Sequence, residues 1–506
     1  MIVGMIFKCN KKDDCPCFPN NDLLTNLVLL SLLSEIMLDD KTICAIATPA
    51  GSGAIAMVRL SGKDAYKIAN HFISFQSDKK DIASLPPNTI HMANITNEGE
   101  LIDDVMVSLF RAPRSYTGED MIEISCHGAF YIQQKILETL VKSGARLAEP
   151  GEFTLRAFLN GKIDLSQAEA VADLIASTST ASHRVAMNQM RGGFSTELAK
   201  LREQLLNFIS LIELELDFSE EDVAFADRKE LFTLVRKIQD VIWGMADSFR
   251  LGNVIKNGVP VAITGKTNVG KSTLLNALLH DDRAIVSEIA GTTRDVIEDL
   301  ISIDGISFRF IDTAGLRHTT DTIESIGIEK AFEKISQAYI VLYVIDAAQK
   351  IEEIDRLIGK IKKRLEGGDR KLFILLNKID FLTDQHLDLI RDLNNYSNLD
   401  ENDQVLFISA SYGDNVDQLA SLLVDTIKQG NNDENDVIIT NARHFEALVN
   451  AGEAINRVHE GMKTGLSSDL LAQDIRQVLH YLGEITGEVT TDEILGNIFS
   501  KFCIGK

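Results

Sequence analysis

The chain contains 506 residues, which exceeds the size of a single hydrophobic core and predicts about three domains. Hydrophobic residues make up 45% and charged residues 25% of the sequence, the proportions of a soluble globular protein. The formal net charge is −23 and the isoelectric point is near 4.9, and these values exclude a broad basic face for nucleic acid. An RNA substrate would therefore have to be held by a local basic patch or by a partner protein.

The first residues, 1–38, are predicted to be an extension outside the functional fold, which would begin near Met37. A leucine-rich run in this segment, LLTNLVLLSLLSEIML, spans about 16 residues, short of the roughly 20 apolar residues that a membrane span needs. Neither a basic flank nor a small-residue cleavage site marks a signal peptide. We therefore expect a cytoplasmic protein without a membrane anchor.

The cysteines predict reduced thiols, because disulfides are rare in the cytosol. Their spacing contains no C-x-x-C pair and no histidine at zinc-ligand distance, in the set Cys9, Cys15, Cys17, Cys44, Cys126 and Cys503.

Residues 39–156 are predicted to form a compact α+β domain. Short runs typical of strands alternate with turns, in TICAIATP, AIAMVRLSG, VMVSLF and MIEISCHG, and one helix is predicted between Phe130 and Val141. Residues 157–256 then carry apolar residues at helical spacing, in KLREQLLNFISLIELELDF and ELFTLVRKIQDVIWGMADSF. This second segment predicts the first part of a helical domain.

Residues 257–430 are predicted to form an α/β domain around a parallel sheet. Its candidate strands, VPVAITG, VLYVID, KLFILLNK and QVLFISA, are almost wholly apolar, as expected of strands covered on both faces. Asp304-Gly305 predicts a hairpin turn between two further strands. Helical spacing returns within residues 431–506, so the simplest arrangement is one helical domain interrupted by the α/β domain. The predicted fold class is multidomain α/β.

GKTNVGKS (265–272) matches the phosphate-binding pattern G-x-x-x-x-G-K-[ST] and lies between a predicted strand and a predicted helix. Gly265 and Gly270 would let backbone N–H groups face a phosphate, and the helix N-terminus adds its positive end. Lys271 is expected to reach the β- and γ-phosphates, and the Ser272 hydroxyl is expected to ligate Mg²⁺.

Three further motifs, in the expected order, predict that the nucleotide is GTP. DTAG (312–315) would hold Mg²⁺ through water and contact the γ-phosphate. NKID (377–380) follows an apolar strand, and Asp380 can accept hydrogen bonds from guanine N1–H and the 2-amino group, which adenine cannot offer in the same way. SAS (409–411) suits the loop beside the base.

A further stretch, AGTTRD (290–295), offers Thr292 or Thr293 to close on Mg²⁺ and the γ-phosphate. The complete set predicted to bind GTP is Asn268, Val269, Gly270, Lys271, Ser272, Thr273, Ser287, Glu288, Ile289, Ala290, Gly291, Thr292, Thr293, Asp312, Thr313, Ala314, Gly315, Asn377, Lys378, Ile379, Asp380, Ser409, Ala410 and Ser411.

In the Ras pattern, a glutamine soon after DTAG orients the attacking water. This sequence departs from that pattern. Leu316 takes that place here, so the chemistry must come from another residue. Arg317 could act on transition-state charge, but a solvated arginine fits its type equally well. Asp321 and Glu324 follow, and by residue type alone they favour acids at the start of a helix.

The motifs GKTNVGKS, AGTTRD, DTAGLR, IESIGIEKA, RAFLNGKIDLSQAEAVADLI and FCIGK together resemble the MnmE (TrmE) family, tRNA-modification GTPases of the TrmE-Era-EngA-YihA-Septin-like class, from about Thr42 to Lys506. The resemblance implies a folate-binding and dimerisation domain, a discontinuous all-α domain and an inserted Ras-like P-loop GTPase domain. It implies a homodimer that works on tRNA in a heterotetramer with the FAD-dependent partner MnmG (GidA). The implied reaction adds an aminomethyl or carboxymethylaminomethyl group to carbon 5 of the wobble uridine, with 5-formyl- or 5,10-methylene-tetrahydrofolate as donor.

The resemblance also implies metal sites and a catalytic glutamate in the GTPase domain. Glu324 is implied to orient the attacking water through a second water, which overturns the expectation from residue type. A potassium ion would supply the charge that an arginine finger brings elsewhere. Ser287 stands where the family is expected to have threonine, but it keeps a hydroxyl. The implied Mg²⁺ ligands are Ser272 and Thr293, and the implied K⁺ ligands are Asn268, Ser287, Ile289 and Thr292.

For folate, the resemblance implies four contacts, from Arg59, Glu123, Lys162 and the C-terminal Lys506. A pterin ring needs a carboxylate, and the glutamate tail of folate needs cations. Taken singly, Arg59, Glu123 and Lys162 would each be read as surface salt-bridge residues.

The terminal FCIGK is expected to be an active-site tail. Phe502 and Ile504 would pack against the helical domain and hold the catalytic candidate Cys503 near the modification centre, as a nucleophile, a proton donor or a positioned thiol. A prenylated signalling GTPase is the first alternative, but Lys506 is an unusual last residue for a C-a-a-X box and no polybasic stretch precedes Cys503. A ribosome-assembly GTPase is the second, and it leaves RAFLNGKIDLSQAEA unexplained.

Overall fold

The computed structural model describes residues 41–75, 81–217, 228–279, 284–286, 299–311, 338–365, 370–392, 396–399, 403–428 and 437–506. The predicted extension, residues 1–38, lies outside these ranges. The chain divides into two compact units, of which the first comprises the residues up to Ile163 and those from Glu493 to Lys506. The second unit runs from Asp164 to Asp492.

The first unit is built on one seven-stranded sheet, as expected for an α+β domain. The strands follow the order β3-β4-β5-β6-β2-β1-β7 and pair antiparallel, except for the parallel pair β1 and β7. Their bounds are β1 Ile43–Ile46, β2 Ile55–Ser61, β3 Ile73–Phe75, β4 Thr89–Asn97, β5 Glu100–Phe110, β6 Met121–His127 and β7 Arg146–Leu147. The helices are α1 Ala65–Ala69, α2 Phe130–Lys142 and α3 Glu152–Leu159, with a 3₁₀ turn at Ile82–Ser84.

The two faces of this sheet differ because side chains alternate along each strand. Inward residues of β2, β5 and β6, such as Val58, Val107 and Ile124, are fully buried in one core with Ile136 and Leu140 of α2. The predicted helix is thus confirmed, and it covers this inner face. The opposite face carries Arg59 of β2, Met106 and Ser108 of β5, and Glu123 of β6.

The second unit begins with a group of helices. They are α4 Leu165–Ala176, α5 Thr180–Met190, α6 Gly193–Asp217 and α7 Arg228–Asn257, joined after the α/β part by α12 Ala442–Thr464 and α13 Ser468–Thr486. Helices α6, α7, α12 and α13 share one apolar core, which buries Phe194, Phe208, Ile242, Leu448 and Val478 among others. The helical spacing of the sequence is therefore confirmed on both sides of the α/β part.

The start of α4 has a local cause in the sequence IDLSQ. The Asp164 side chain accepts a hydrogen bond from the Gln167 N–H, and the Gln167 side chain accepts one from the Asp164 N–H, both at 2.9 Å. This reciprocal pair is a capping box, which satisfies two backbone donors that the helix leaves unpaired.

The α/β part contains a second seven-stranded sheet in the order β14-β13-β12-β8-β11-β10-β9. The five strands β14, β13, β12, β8 and β11 are parallel to one another. Strand β10 pairs antiparallel with both of its neighbours, β11 and β9. The strands are β8 Val259–Thr264, β9 Ala284–Val286, β10 Asp299–Ile303, β11 Ile306–Phe310, β12 Ile340–Asp346, β13 Lys371–Asn377 and β14 Gln404–Ile408. The helices are α8 Lys271–Leu279, α9 Ile351–Leu365, α10 Asp384–Arg391 and α11 Val416–Lys428, with a 3₁₀ turn at Ile379–Phe381.

Two predictions for this sheet are confirmed. Strands β8, β12, β13 and β14 coincide with the four apolar runs of the sequence, and their side chains fill cores on both faces. Asp304 and Gly305 have φ values of 47° and 81° and form the turn between β10 and β11. A two-residue hairpin turn with positive φ at both positions matches the twist of the strands it joins.

The last helix, α14 Asp492–Phe499, leads into the C-terminal residues of the first unit. Among the residues that the structure describes, none of the helices is both long and apolar enough to cross a bilayer.

Candidate nucleotide and ligand sites

The phosphate loop, residues 265–270, joins the carboxyl end of β8 to the first turn of α8. Gly265 has φ +150°, and a Cβ at this position would lie 2.2 Å from the Val344 carbonyl oxygen. Gly270 has φ +99°, and its Cβ would lie 2.2 Å from Asn377 Nδ2. Neither position accepts a side chain, so both glycines are required by the close approach of neighbouring groups.

Lys271 lies over the carbonyl groups of the same loop. Its Nζ donates to Gly265 O at 3.0 Å and to Lys266 O at 2.6 Å. Burial lowers the pKa of this ammonium group. Asn268, with φ +61°, adopts the left-handed conformation that asparagine tolerates better than most residues.

The predicted base-side loops are joined to the phosphate loop through one buried amide. Asn377, at the end of β13, donates from Nδ2 to Val269 O at 2.8 Å and accepts from the Ala410 N–H at 2.9 Å. Ser409 Oγ donates to Asp380 Oδ1 at 2.6 Å, which fixes the carboxylate that would read guanine. The structure therefore brings together the three stretches GKTNVGKS, NKID and SAS.

Lys378 forms an ion pair with Asp346, an acid outside the four predicted GTP-binding motifs. Its backbone is left-handed, with φ 72°, and its Nζ lies 2.7 Å from Asp346 Oδ2. Asp346 Oδ1 also accepts from the Ala348 N–H at 3.0 Å. Asp346 faces Asn377 in the register of the parallel strands β12 and β13. An acid at the carboxyl end of an apolar strand beside NKID is the signal that could have indicated it.

Several predicted residues lie outside the described ranges. They include the predicted K⁺ ligands Ser287, Ile289 and Thr292, together with Glu288, Ala290, Gly291 and the predicted Mg²⁺ ligand Thr293. The others are Asp312, Thr313, Ala314, Gly315, Leu316, Arg317 and Glu324.

In the first unit, Arg59 and Glu123 face each other directly in the register of β2 and β6. Arg59 Nε donates to Glu123 Oε1 at 2.8 Å, and both side chains are less than one-fifth exposed. The guanidinium carbon of Arg59 also lies 5.8 Å from the centre of the Tyr116 ring. Tyr116 is fixed in turn, because its hydroxyl lies 2.9 Å from Thr154 Oγ1.

The C-terminal tail reaches this pair. Arg59 NH1 donates to the carbonyl oxygen of Gly505 at 3.2 Å. Burial, followed by the charge of Arg59, lowers the pKa of the Lys506 ammonium group, whereas the charges of Cys503 and Glu123 act in the opposite direction. Arg59, Glu123, Cys503 and Lys506, predicted from distant parts of the sequence, therefore lie close enough to interact electrostatically.

Lys162 binds a neighbouring loop. Its Nζ donates to the Pro113 carbonyl at 3.0 Å, and its side-chain carbons lie 3.3 and 3.4 Å from where a Cβ of Gly118 would stand. These contacts fix the loop that also carries Tyr116. Tyr116 is not predictable from the sequence, because a tyrosine in the polar stretch SYTGED gives no periodic signal.

Of the three described cysteines, only Cys503 is exposed. Burial raises the pKa of the Cys44 thiol to about 12 and that of Cys126 to about 11. Both are therefore neutral and unreactive at neutral pH. The expectation for the tail was partly wrong: Ile504 is 60% exposed, and Phe502 packs against Phe499 and Gly151 of the first unit.

The mainly parallel sheet, the phosphate loop at the end of β8 and the aspartate fixed beside the base position define a P-loop GTPase with a Ras-like domain. Family models match the chain as the GTP-binding protein TrmE N-terminus over residues 42–162 and as the MnmE helical domain over residues 165–503. The chain belongs to the MnmE family of tRNA modification GTPases.

Relatives match almost the whole chain. It is 55% identical to the tRNA modification GTPase MnmE of Christiangramia forsetii over 92% of this chain and 99% of that protein. It is 53% identical to the MnmE of Flavobacterium johnsoniae over 93% of this chain and all of that protein. Among solved structures, Aquifex aeolicus Era bound to GDP and AlF₄⁻ is 28% identical over 38% of this chain and 66% of that chain, with a TM-score of 0.25.

Proposed function

We propose that this chain is a K⁺-stimulated GTPase that modifies the wobble uridine of tRNA together with an FAD-dependent partner of the MnmG (GidA) type. The product carries an aminomethyl or carboxymethylaminomethyl group at carbon 5, and a tetrahydrofolate derivative supplies the one-carbon unit. The proposal rests on the family of the chain and on one observation above all: the C-terminal tail with Cys503 and Lys506 lies beside the Arg59–Glu123 pair.

The residues around this pair fit the chemistry of a folate. Arg59 and Lys506 are cations suited to the carboxylates of a glutamate tail, and Glu123 is an acceptor for the N–H donors of a pterin. Tyr116 adds an aromatic face of the kind that stacks on a flat ring. Lys162 supports the loop of Tyr116 and is a further candidate contact. A bound folate would supply the one-carbon unit; the side chains bind and orient it.

In the GTPase domain, Ser272 and Thr293 would hold Mg²⁺, and Glu324 would orient the attacking water. Asn268, Ser287, Ile289 and Thr292 would hold K⁺, whose charge stabilises the phosphates in the transition state. The backbone of Asn268 is left-handed and so does not continue the regular helix α8 that follows. This loop position supports Asn268 as a K⁺ ligand.

We also propose that the protein acts as a cytoplasmic homodimer. The outer face of the first sheet supports this, since Ile90, Met92 and Met106 are between 44% and 63% exposed there. Met92 on β4 pairs with Met106 on β5. Two residues along β5, Ser108 pairs with Glu123 on β6, so the apolar residues lie on the same face as Glu123. A second copy of the chain would cover an apolar strip of this kind. Substituting Met92 and Met106 together by aspartate should convert a dimer into a monomer in light scattering.

The test of the proposed function is nucleoside mass spectrometry of tRNA from cells that lack this protein. The wobble-uridine modification should disappear, and expression of the wild-type chain should restore it. Arg59→Ala should fail to restore it, whereas Lys142→Ala, an exposed lysine at the end of α2, should succeed. Unchanged wobble uridines in the deletion strain would refute the proposal.

A further inference from the structure

Within the last five residues, two buried positions flank two exposed ones. Phe502 and Gly505 are buried, whereas Cys503 and Ile504 are exposed. A tail that frayed from the domain would not separate its residues in this way. The pattern indicates two anchor points with the thiol presented between them.

The first anchor is Phe502. Its ring centre lies 5.3 Å from that of Phe499, and its Cβ is 3.0 Å from the position that a Cβ of Gly151 would take. Gly151 has φ +69° and is the N-cap residue before α3, so the absence of a side chain there allows the tail to approach the helix closely.

The second anchor is Gly505, which lies against the end of β1. It has φ +92°, and a Cβ at this position would stand 2.4 Å from Ile46 O and 3.0 Å from Ala47 Cα. Both obstacles are backbone atoms, one in the last residue of β1 and one in the residue that follows it, so neither can move aside as a flexible side chain would. Arg59 NH1 holds the Gly505 carbonyl at 3.2 Å, and the Lys506 N–H donates to Cys503 O at 3.3 Å, which closes the turn.

We propose that Gly505 is a positioning residue: its missing side chain lets the tail seat against Ile46 and Arg59, and this seating presents Cys503 outward beside the Arg59–Glu123 pair. The seating follows from the contacts alone, and only the consequence for Cys503 rests on the proposed function. Any side chain at position 505 would meet the backbone of Ile46 and Ala47 and displace the tail.

The test compares Gly505→Ala with Gly496→Ala in the full-length protein. Gly496 is a matched control, because it lies on α14 in the same segment and a Cβ there meets no atom within 4 Å. Seating is measured by the rate at which carboxypeptidase B releases the half-buried Lys506, and by hydrogen exchange of the C-terminal peptide. Gly505→Ala should release Lys506 at least tenfold faster than wild type and exchange faster, whereas Gly496→Ala should match wild type.

Comparing GTP turnover with tRNA modification distinguishes a displaced tail from a misfolded protein. GTP turnover of Gly505→Ala should stay within twofold of wild type, while the turnover number for tRNA modification falls at least tenfold. Equal release of Lys506 from Gly505→Ala and wild type would overturn the proposal, and so would full modification activity from a tail that is released. Absence of modification by the wild-type protein would contradict the proposed function instead, and the protection of Lys506 would still decide the seating.

Discussion

Asn377 links the phosphate loop to the base-side loops, since its Nδ2 donates to Val269 O at 2.8 Å while its Oδ1 accepts from the Ala410 N–H at 2.9 Å. The side chain is only 2% exposed, so water cannot replace these bonds. Asn377→Ala would leave two backbone groups unpaired in the interior, at a cost of about 1–3 kcal/mol for each group. We expect the affinity for guanine nucleotide to fall by about 30-fold or more, measured as the dissociation constant of a fluorescent GDP analogue.

Asn398→Ala is the control for that prediction. Asn398 also makes side-chain hydrogen bonds, to Asp355 in the same domain, but it is exposed and lies in a different loop. Its substitution should leave nucleotide affinity within twofold of wild type. An Asn377→Ala protein that binds GDP as well as wild type would show that the link is dispensable.

Asp346 is expected to set the position of Lys378 beside the base. Asp346 Oδ2 lies 2.7 Å from Lys378 Nζ, and the side chains of Asp346 and Lys378 are 22% and 30% exposed. Solvent therefore screens part of the attraction between the two charges. Asp346→Asn keeps an acceptor for the Ala348 N–H and removes the charge. Nucleotide affinity should weaken by about 1 kcal/mol, roughly fivefold, while the GTP turnover number at saturation stays unchanged.

The control for Asp346→Asn is Glu353→Gln, which removes the negative charge from the exposed ion pair between Glu353 and Lys266. It should change affinity by less than twofold. If Asp346→Asn lowers the turnover number at saturating GTP and leaves affinity intact, the acid acts on hydrolysis and the positioning role is wrong.

The proposed potassium role of Asn268 can be tested without disturbing the loop. Its φ of +61° is a conformation that glycine adopts freely, so Asn268→Gly removes the side-chain oxygen and keeps the backbone. We expect wild-type turnover to be much faster in K⁺ than in Na⁺ and the variant to be slow in both salts. Equal turnover of the wild type in K⁺ and Na⁺, in a steady-state phosphate-release assay, would remove the case for a cation at this position.

The sequence predicts those features that depend on local pattern. Asp304-Gly305 is a hairpin signal by itself, and the strand before GKTNVGKS is recognisable from its apolar residues. The seating of Gly505 on Ile46 is different, because it depends on two backbones that are 459 residues apart meeting in space. Asp346 falls between these cases: its place at a strand end is visible in the sequence, but its partner depends on the left-handed backbone of Lys378.

The helical core contains a buried ionic cluster that sets a limit on acid stability. Glu169 on α4 accepts from Arg443 Nε at 3.1 Å and Arg443 NH2 at 2.9 Å, and its Oε2 lies 2.5 Å from His444 Nε2. Burial opposes ionisation of this carboxyl, but the charge and hydrogen bond of His444, with those of Arg443, outweigh it and lower the pKa of Glu169 to about 2. Against an ordinary value of 4.5, and at about 1.4 kcal/mol for each tenfold change, this corresponds to roughly 3 kcal/mol.

Because the folded pKa of Glu169 lies below its ordinary value, the contribution is fully present above pH 4.5 and is lost as the pH falls toward 2. Glu169→Gln should therefore lower the free energy of unfolding by about 3 kcal/mol at pH 7 and flatten its decline between pH 4.5 and 2, as measured in urea. Asp474→Asn removes the acid of a more exposed pair with Arg457 and should cost less than about 1 kcal/mol. Equal losses in the two variants would mean that the buried cluster contributes no more than a surface pair.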